Sequence, residues 1–196
     1  MNSHHKEILS NVISFFTDPP DDELQKVYDY VFPVKIKKNE YLLMAGEIPN
    51  RMYLNISGLL RLFYIDYNGS EVIKFFCIEN TCAISYSAFL LRKESNIYIQ
   101  ALEDTSLLAI EHETYQKLID GHPCWQRAAQ KFAELLFILK EKKEAEFLLH
   151  DAQERYAHFL KDYPNLESRI PQYYVASYIG ITPESLSRIR SNFPKS

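Results

Sequence analysis

The stretch Ile170-Pro-Gln-Tyr-Tyr-Val-Ala-Ser-Tyr-Ile-Gly-Ile-Thr-Pro-Glu-Ser-Leu-Ser-Arg-Ile-Arg190 carries the most information in this chain. It predicts a helix from about Pro171 to Tyr178, a turn at Ile179-Gly180-Ile181, and a second helix from Pro183 onward. Gly180 permits the left-handed backbone that reverses direction between two helices. Ala176, four residues earlier, is small enough to let those helices approach closely. Val175, Ile179, Ile181, Leu186 and Ile189 form a shared apolar wedge. Thr182 reads as an N-cap, and Pro183 takes the first helical position, where a missing N–H costs nothing. The pattern is a helix-turn-helix. Its second helix exposes Glu184, Ser185, Ser187, Arg188 and Arg190. An Arg can grip guanine O6 and N7 with two hydrogen bonds, a Glu can accept from cytosine N4, and Ser or Thr can hold phosphates. Thr182, Glu184, Ser185, Arg188 and Arg190 are therefore the expected DNA contacts. The competing reading is an ordinary helical hairpin with a solvated charged face.

Charge supports the first reading. The 196 residues carry 22 Lys+Arg against 26 Asp+Glu, a net −4. From Ser168 onward, Arg169, Arg188, Arg190 and Lys195 oppose Glu184 alone, so this tail is +3 and the rest of the chain −7. A basic tail on an acidic body suits an anionic partner. Helix ends also collect positive charge to complement the macrodipole, so the signal is weak by itself.

Upstream, residues 6–32 read as two helices. Ile8, Val12, Ile13, Phe15 and Phe16 make an apolar face, Asp18-Pro-Pro breaks it, and Asp21 or Asp22 caps a second helix that Pro33 closes. From Val34 the period changes to two. Short runs around Val34, Tyr41, Met52 and Leu60 read as strands, as do Glu71–Phe76, Asn96–Ala101 and Ser106–Glu111. Asn68-Gly69 suits the positive φ values of a two-residue type I′ hairpin. Strands at such intervals predict a small antiparallel barrel or jelly roll. Ser85–Arg92 and Thr114–Ile119 read as short helices.

From Pro123 to about Leu149 there is no Gly or further Pro. Ala128, Phe132, Leu135 and Leu139 fall on one seam of a long helix, which at 1.5 Å per residue extends about 40 Å. Such a rod exceeds what the barrel needs for cover. Its seam is expected to pair with the same helix of a second subunit. Asp151 then caps a helix to about Tyr163.

An apolar fraction of 46% with 14 Tyr and 12 Phe excludes a disordered chain. No apolar run approaches the roughly 18–20 residues of a membrane span, and Met1-Asn-Ser-His-His-Lys leads into no greasy stretch, so a soluble cytoplasmic protein is expected. Cys77, Cys82 and Cys124 lack the partners of a zinc site or an all-Cys iron–sulfur cluster. His112, His122, His150 and His158 show no metal-ligand spacing, and no metal is expected. Five scattered glycines build no phosphate-cradling loop, and Gly-x-Ser-x-Gly and His-Glu-x-x-His are absent, which argues against an enzyme.

The chain resembles the catabolite activator / fumarate-nitrate regulator (Crp/Fnr) family of transcriptional regulators. Ala45-Gly46-Glu47, Ser57-Gly58-Leu-Leu-Arg61 and Asp66-Tyr-Asn-Gly69 resemble that family's cyclic-nucleotide-binding-type barrel. Leu166–Arg190 resembles its winged helix-turn-helix, with the wing around Tyr163–Ile170 and Glu184-Ser-Leu-Ser-Arg188 in the recognition helix. The resemblance implies an α+β chain in three parts. Residues 1–121 form an antiparallel jelly-roll sensor, 122–150 a dimerisation helix, and 151–196 a winged helix-turn-helix. It implies a homodimer on a near-palindromic duplex, RNA polymerase as a further partner, and Glu184 and Arg188 as the base-contacting pair.

Cyclic-nucleotide-binding members place a Gly-Glu pair and an Arg-Ser/Thr pair around the cyclic phosphate. Here the first region reads Thr81-Cys-Ala-Ile-Ser-Tyr-Ser and the second Glu94-Ser-Asn-Ile-Tyr, with Arg92 nearby but out of register. Without that cation a cyclic phosphate is poorly compensated. Tight cyclic AMP binding is therefore not expected. Ser85, Tyr86, Ser87, Asn96 and Tyr98 are the expected lining of a pocket for a less charged, unidentified effector, unless aromatic packing fills it. The alternative to DNA reading is a sensor or interaction module that has lost it.

Overall fold

A computed structural model describes residues 1–192; Lys195, counted above in the basic tail, lies outside the described residues. Contacts gather the chain into two compact units, Met1–Leu62 with Phe76–Leu136, and Phe63–Phe75 with Phe137–Ser196. The division differs from the expected boundaries at 121 and 150. It cuts the long helix near its middle and assigns the tip of one hairpin to the C-terminal unit.

The first unit opens with α1, Ser3–Phe16, capped by the Asn2 side chain accepting from the His5 N–H. Then comes α2, Asp21–Tyr30. Its N-cap is Pro20, and neither Asp21 nor Asp22 caps it as expected; both sit in the first turn with Glu23, where they face the positive end of the helix dipole. Pro33 does not close α2. It lies in β1, Phe32–Ile36, an edge strand where a missing N–H breaks no ladder.

Seven further strands follow: β2 (Tyr41–Leu43), β3 (Arg51–Ser57), β4 (Leu60–Ile65), β5 (Glu71–Cys77), β6 (Cys82–Ala83), β7 (Tyr98–Ala101) and β8 (Thr105–Glu111). They form two four-stranded sheets, β1-β8-β3-β6 and β2-β7-β4-β5. The pairs β1–β8, β3–β8, β3–β6 and β2–β7 are antiparallel, with Tyr53 opposite both Ala109 and Ala83. The result is an antiparallel, jelly-roll-like barrel, and the chain also forms a long helix. Leu59, Leu60, Phe76, Ile99 and Leu107 are buried in the barrel's strands and turns, while Leu108 is buried on the outer side in a cluster with Leu9 and Trp125. Full burial of each such side chain contributes about 1.5–3 kcal/mol. Asn55, also buried, donates its amide N–H groups to the Gly58 and Cys77 carbonyls at 2.9 and 3.0 Å.

The β4–β5 turn differs from the expected type I′. The Gly69 N–H bonds to the Asp66 carbonyl at 3.0 Å and Gly69 alone has a positive φ, +82°. This is the three-residue loop of a type I turn followed by a left-handed Gly. The Asp66 carboxylate selects it by accepting from the Asn68 and Ser70 N–H groups at 2.8 and 2.9 Å.

The remaining helices are α3 (Tyr86–Leu91), α4 (His112–Gly121), α5 (Pro123–Leu149), α6 (Ala152–Asp162), α7 (Gln172–Ile179) and α8 (Pro183–Asn192), with a 3₁₀ turn at Leu166–Ser168. Among the described residues no helix is long and apolar enough to cross a membrane.

Candidate functional site

The C-terminal unit builds a three-helix core around α7 and α8. Asp151 and Glu154 form a reciprocal capping box that starts α6. Phe159, Tyr163 and Tyr178 gather with ring centroids 5.6–5.7 Å apart. Against them are buried Val175, Ile179 and Leu186 of the expected wedge, while Ile181 and Ile189 stay half-buried.

Gly180 closes α7 at φ +72°, and the Ile181 N–H reaches back to the Ala176 carbonyl at 3.0 Å. The Arg155 guanidinium donates to the Ile179 carbonyl at 2.8 Å and to the His150 carbonyl at 2.7 Å, fixing the turn to the start of α6. The Thr182 hydroxyl oxygen then accepts from the Ser185 N–H at 3.3 Å, which caps α8.

On α8 the five expected DNA residues separate. Thr182, Glu184 and Arg188 are exposed, and Glu184 and Arg188 stand one turn apart on one face. Hydrogen bonds from its own backbone N–H and from the Thr182 hydroxyl, with a smaller attraction from Arg188, hold the Glu184 carboxyl below the usual carboxylate range. It is an acceptor at neutral pH. Ser185 is half-buried, its hydroxyl 3.2 Å from that of Thr182. Arg190 does not join the set. Its Nε bonds to Glu167 Oε1 at 2.8 Å, and the same carboxylate oxygen accepts from the Tyr156 hydroxyl at 2.8 Å. Arg190 therefore anchors the far end of α8 to the Leu166–Ser168 turn. That turn stands where the wing was expected: between Tyr163 and Ile170 the chain forms a 3₁₀ turn, and among the described residues no strand follows α6.

Ser177, which the sequence reading passed over, ties α7 to the hairpin tip. Its hydroxyl donates to the Glu71 carbonyl at 2.8 Å and accepts from the Ile73 N–H at 3.0 Å. A serine inside a helix is a neutral-to-unfavourable choice, and that was the available signal of an outside partner.

The α5 seam also divides. The Phe132 ring lies 5.7 Å from Phe16 and 5.2 Å from Tyr86, so this residue faces its own chain. Ala128 turns the same way, lining a cavity with Phe16 and Phe132. Leu135 is half-buried and Leu139 is exposed, next to Phe137 and Ile138, which are 65% and 59% exposed.

In the barrel, a cavity of about 550 Å³ is lined by Leu43, Glu47, Asn50, Arg51, Tyr53, Ser85 and Ile99 among others. Of the five expected pocket residues only Ser85 lines it. Ser85 is buried and receives a hydrogen bond from Ser95 at 2.9 Å. Tyr86 turns instead toward Tyr115 and Phe132, Ser87 and Asn96 are exposed, and Tyr98 stands edge-on to Tyr41. Arg92, left-handed at φ +52°, bonds the Pro49 carbonyl at 2.8 Å and Asn50 Oδ1 at 3.2 Å. Arg51, the cation among the lining residues, is paired with Glu111 at 3.0 Å.

Residues 33–122 match the family model of the cyclic nucleotide-binding domain. A search of curated protein sequences gave no match. Among solved structures, a transcriptional regulator of the Crp/Fnr family from Eubacterium rectale is 18% identical, over 90% of this chain and 84% of its own, at a TM-score of 0.72. The c-di-GMP-responsive global regulator CLP of Xanthomonas campestris is 13% identical, over 88% and 90%, at 0.71. FixK2 from Bradyrhizobium japonicum is 19% identical, over 82% and 83%, at 0.69. The chain has the fold of the Crp/Fnr regulators. Within this Crp/Fnr fold, the matched residues begin in β1 and end just after α4, so the 550 Å³ cavity lies inside the matched domain and α7–α8 lie outside it.

Proposed function

We propose that the chain is a homodimeric transcription regulator of the Crp/Fnr type, acting in the cytoplasm on a near-palindromic site in double-stranded DNA. The observation that carries this reading is the exposed Glu184–Arg188 pair, one turn apart behind a Thr182-capped helix start. A helix of this kind presents a bidentate donor for guanine and an acceptor for cytosine to a major groove. Thr182 and Ser185 supply hydroxyls near the helix start, where phosphates bind. Arg190 supports α8 from behind. Dimerisation is assigned to the apolar strip Leu135, Ile138 and Leu139 on α5, and RNA polymerase is a partner of the DNA-bound dimer.

The barrel cavity is proposed to exclude cyclic AMP at high affinity. Arg92 and Arg51 are both engaged by protein groups, which leaves a cyclic phosphate without a matched cation. The test is selection of duplex sites from a random library by the purified protein, followed by binding titration of the enriched site. A near-palindromic consensus with half-sites about one helical turn apart supports the reading. No enrichment even in dilute salt removes it.

A further inference from the structure

The first unit holds a second cavity, of about 160 Å³, outside the barrel. Leu9 and Ile13 of α1, Leu54 and Leu108 of the β3–β8 floor, and Trp125 and Ala128 of α5 are among its walls. Among the described residues no charged side chain lines it. Its polar groups are few. The Trp125 indole N–H is already given to Glu23 at 2.7 Å, and burial pushes the Cys82 thiol up to about 12, so that thiol stays neutral. The Tyr115 hydroxyl has Tyr86 as a distant partner at 3.4 Å. A water here would find too few partners to replace its bonds in bulk, whereas apolar cavities of roughly 150 Å³ stay dry and take up benzene or xenon.

We propose that this cavity is a binding site for a small, neutral, apolar molecule of the aromatic-hydrocarbon or short-alkyl class. The inference stands on the first unit alone and is independent of whether α8 reads DNA. Charge complementarity sets the class: a carboxylate or phosphate would enter a chamber without a cation, at the full cost of desolvation. The site also bears on α5, because Trp125, Ala128, Ala129 and Phe132 all border it. An occupant therefore contacts the same helix that carries the exposed strip.

Trp125 is the single tryptophan of the chain, so its emission reports on this cavity alone. Xenon under pressure should quench Trp125 fluorescence saturably in the full-length protein. Benzene at about ten times its dissociation constant should raise Tm by roughly 3–6 °C, and benzoate at the same concentration should not. Ala129→Leu, which fills the cavity from α5, should abolish both effects. Ile13→Phe fills it from α1 and serves if the first variant is unstable. Saturable xenon-129 chemical-shift changes in the wild-type protein provide a readout that needs no variant. Quenching that rises linearly with xenon, a benzene response unchanged in the filled variants, or equal shifts from benzoate and benzene would each overturn the proposal.

Discussion

Arg188 and Arg190 stand two residues apart on α8 and do different work. Arg188 is exposed, while Arg190 is held 2.8 Å from Glu167. Arg188→Ala is expected to lower discrimination between the selected site and random duplex by about 1–3 kcal/mol with Tm unchanged. Arg190→Ala is expected to leave discrimination intact and to cost about 1 kcal/mol of stability, since its ion pair is only partly exposed. Competition binding and thermal unfolding of both variants check this. The reverse assignment would mean that Arg190 leaves Glu167 on binding. Gly180 is a second residue-scale case. At φ +72° an L side chain is strained, and an added Cβ would stand 2.4 Å from the Phe147 ring. The Phe147 ring is partly exposed and can yield, so the backbone term decides. Gly180→Ala is expected to destabilise by roughly 1–2 kcal/mol, read as a lowered midpoint in chemical denaturation.

At the scale of elements, the second half of α5 buries a charge. Lys143 packs its ammonium 3.5 Å from the Tyr178 ring centroid and 3.6 Å from Glu146, and burial lowers its pKa to about 8. Because the folded value lies below the unfolded one, the unfolded chain binds more protons between pH 8 and about 10.5. The contribution of Lys143 to stability therefore increases as pH rises through that window. Relative to wild type, Lys143→Met should be most favourable at pH 7.5 and lose that advantage by pH 10. Thermal melts of both proteins across the range test it; a pH-independent difference would mean that Lys143 titrates normally. The elements themselves were readable where chemistry is local. Pro123 opens α5, the absence of Gly or a further Pro lets it run to Leu149, and Gly180 with Thr182-Pro183 marks the α7–α8 turn. The type of the β4–β5 turn was not, because it depends on where the Asp66 carboxylate points. Partners distant in sequence were hidden as well. Phe132 meets Phe16, Arg190 meets Glu167, and Tyr86 meets Tyr115, so a seam, a reading face and a pocket each lost members that the sequence had assigned. Ser85 was found because its position follows the barrel motif, whereas Tyr86, one residue on, points into a different packing layer.

For the whole molecule the proposed dimer depends on which part of the α5 seam is free. Phe132 and Ala128 are engaged by their own chain, while Leu139 is exposed beside Ile138, and three- and four-residue spacing places Leu135 with both. Substitution should therefore separate folding from assembly. Phe132→Ala removes contacts with Phe16 and Tyr86 and should lower stability, by less than the roughly 3–5 kcal/mol of a fully buried Phe→Ala. It should leave the sedimentation coefficient of the folded protein unchanged. Leu139→Glu should leave Tm near wild type at low protein concentration and shift the protein to a monomer in sedimentation velocity. Two recognition helices joined in one particle bind a palindrome with the second contact made intramolecular, so their joint affinity far exceeds that of either alone. The Leu139→Glu protein should bind a palindrome and a single half-site with nearly equal affinity, whereas wild type should prefer the palindrome by 10²-fold or more, on the order of the lower bound for such linkage. A Leu139→Glu protein that remains dimeric and keeps its preference for the palindrome would move the subunit contact off this strip.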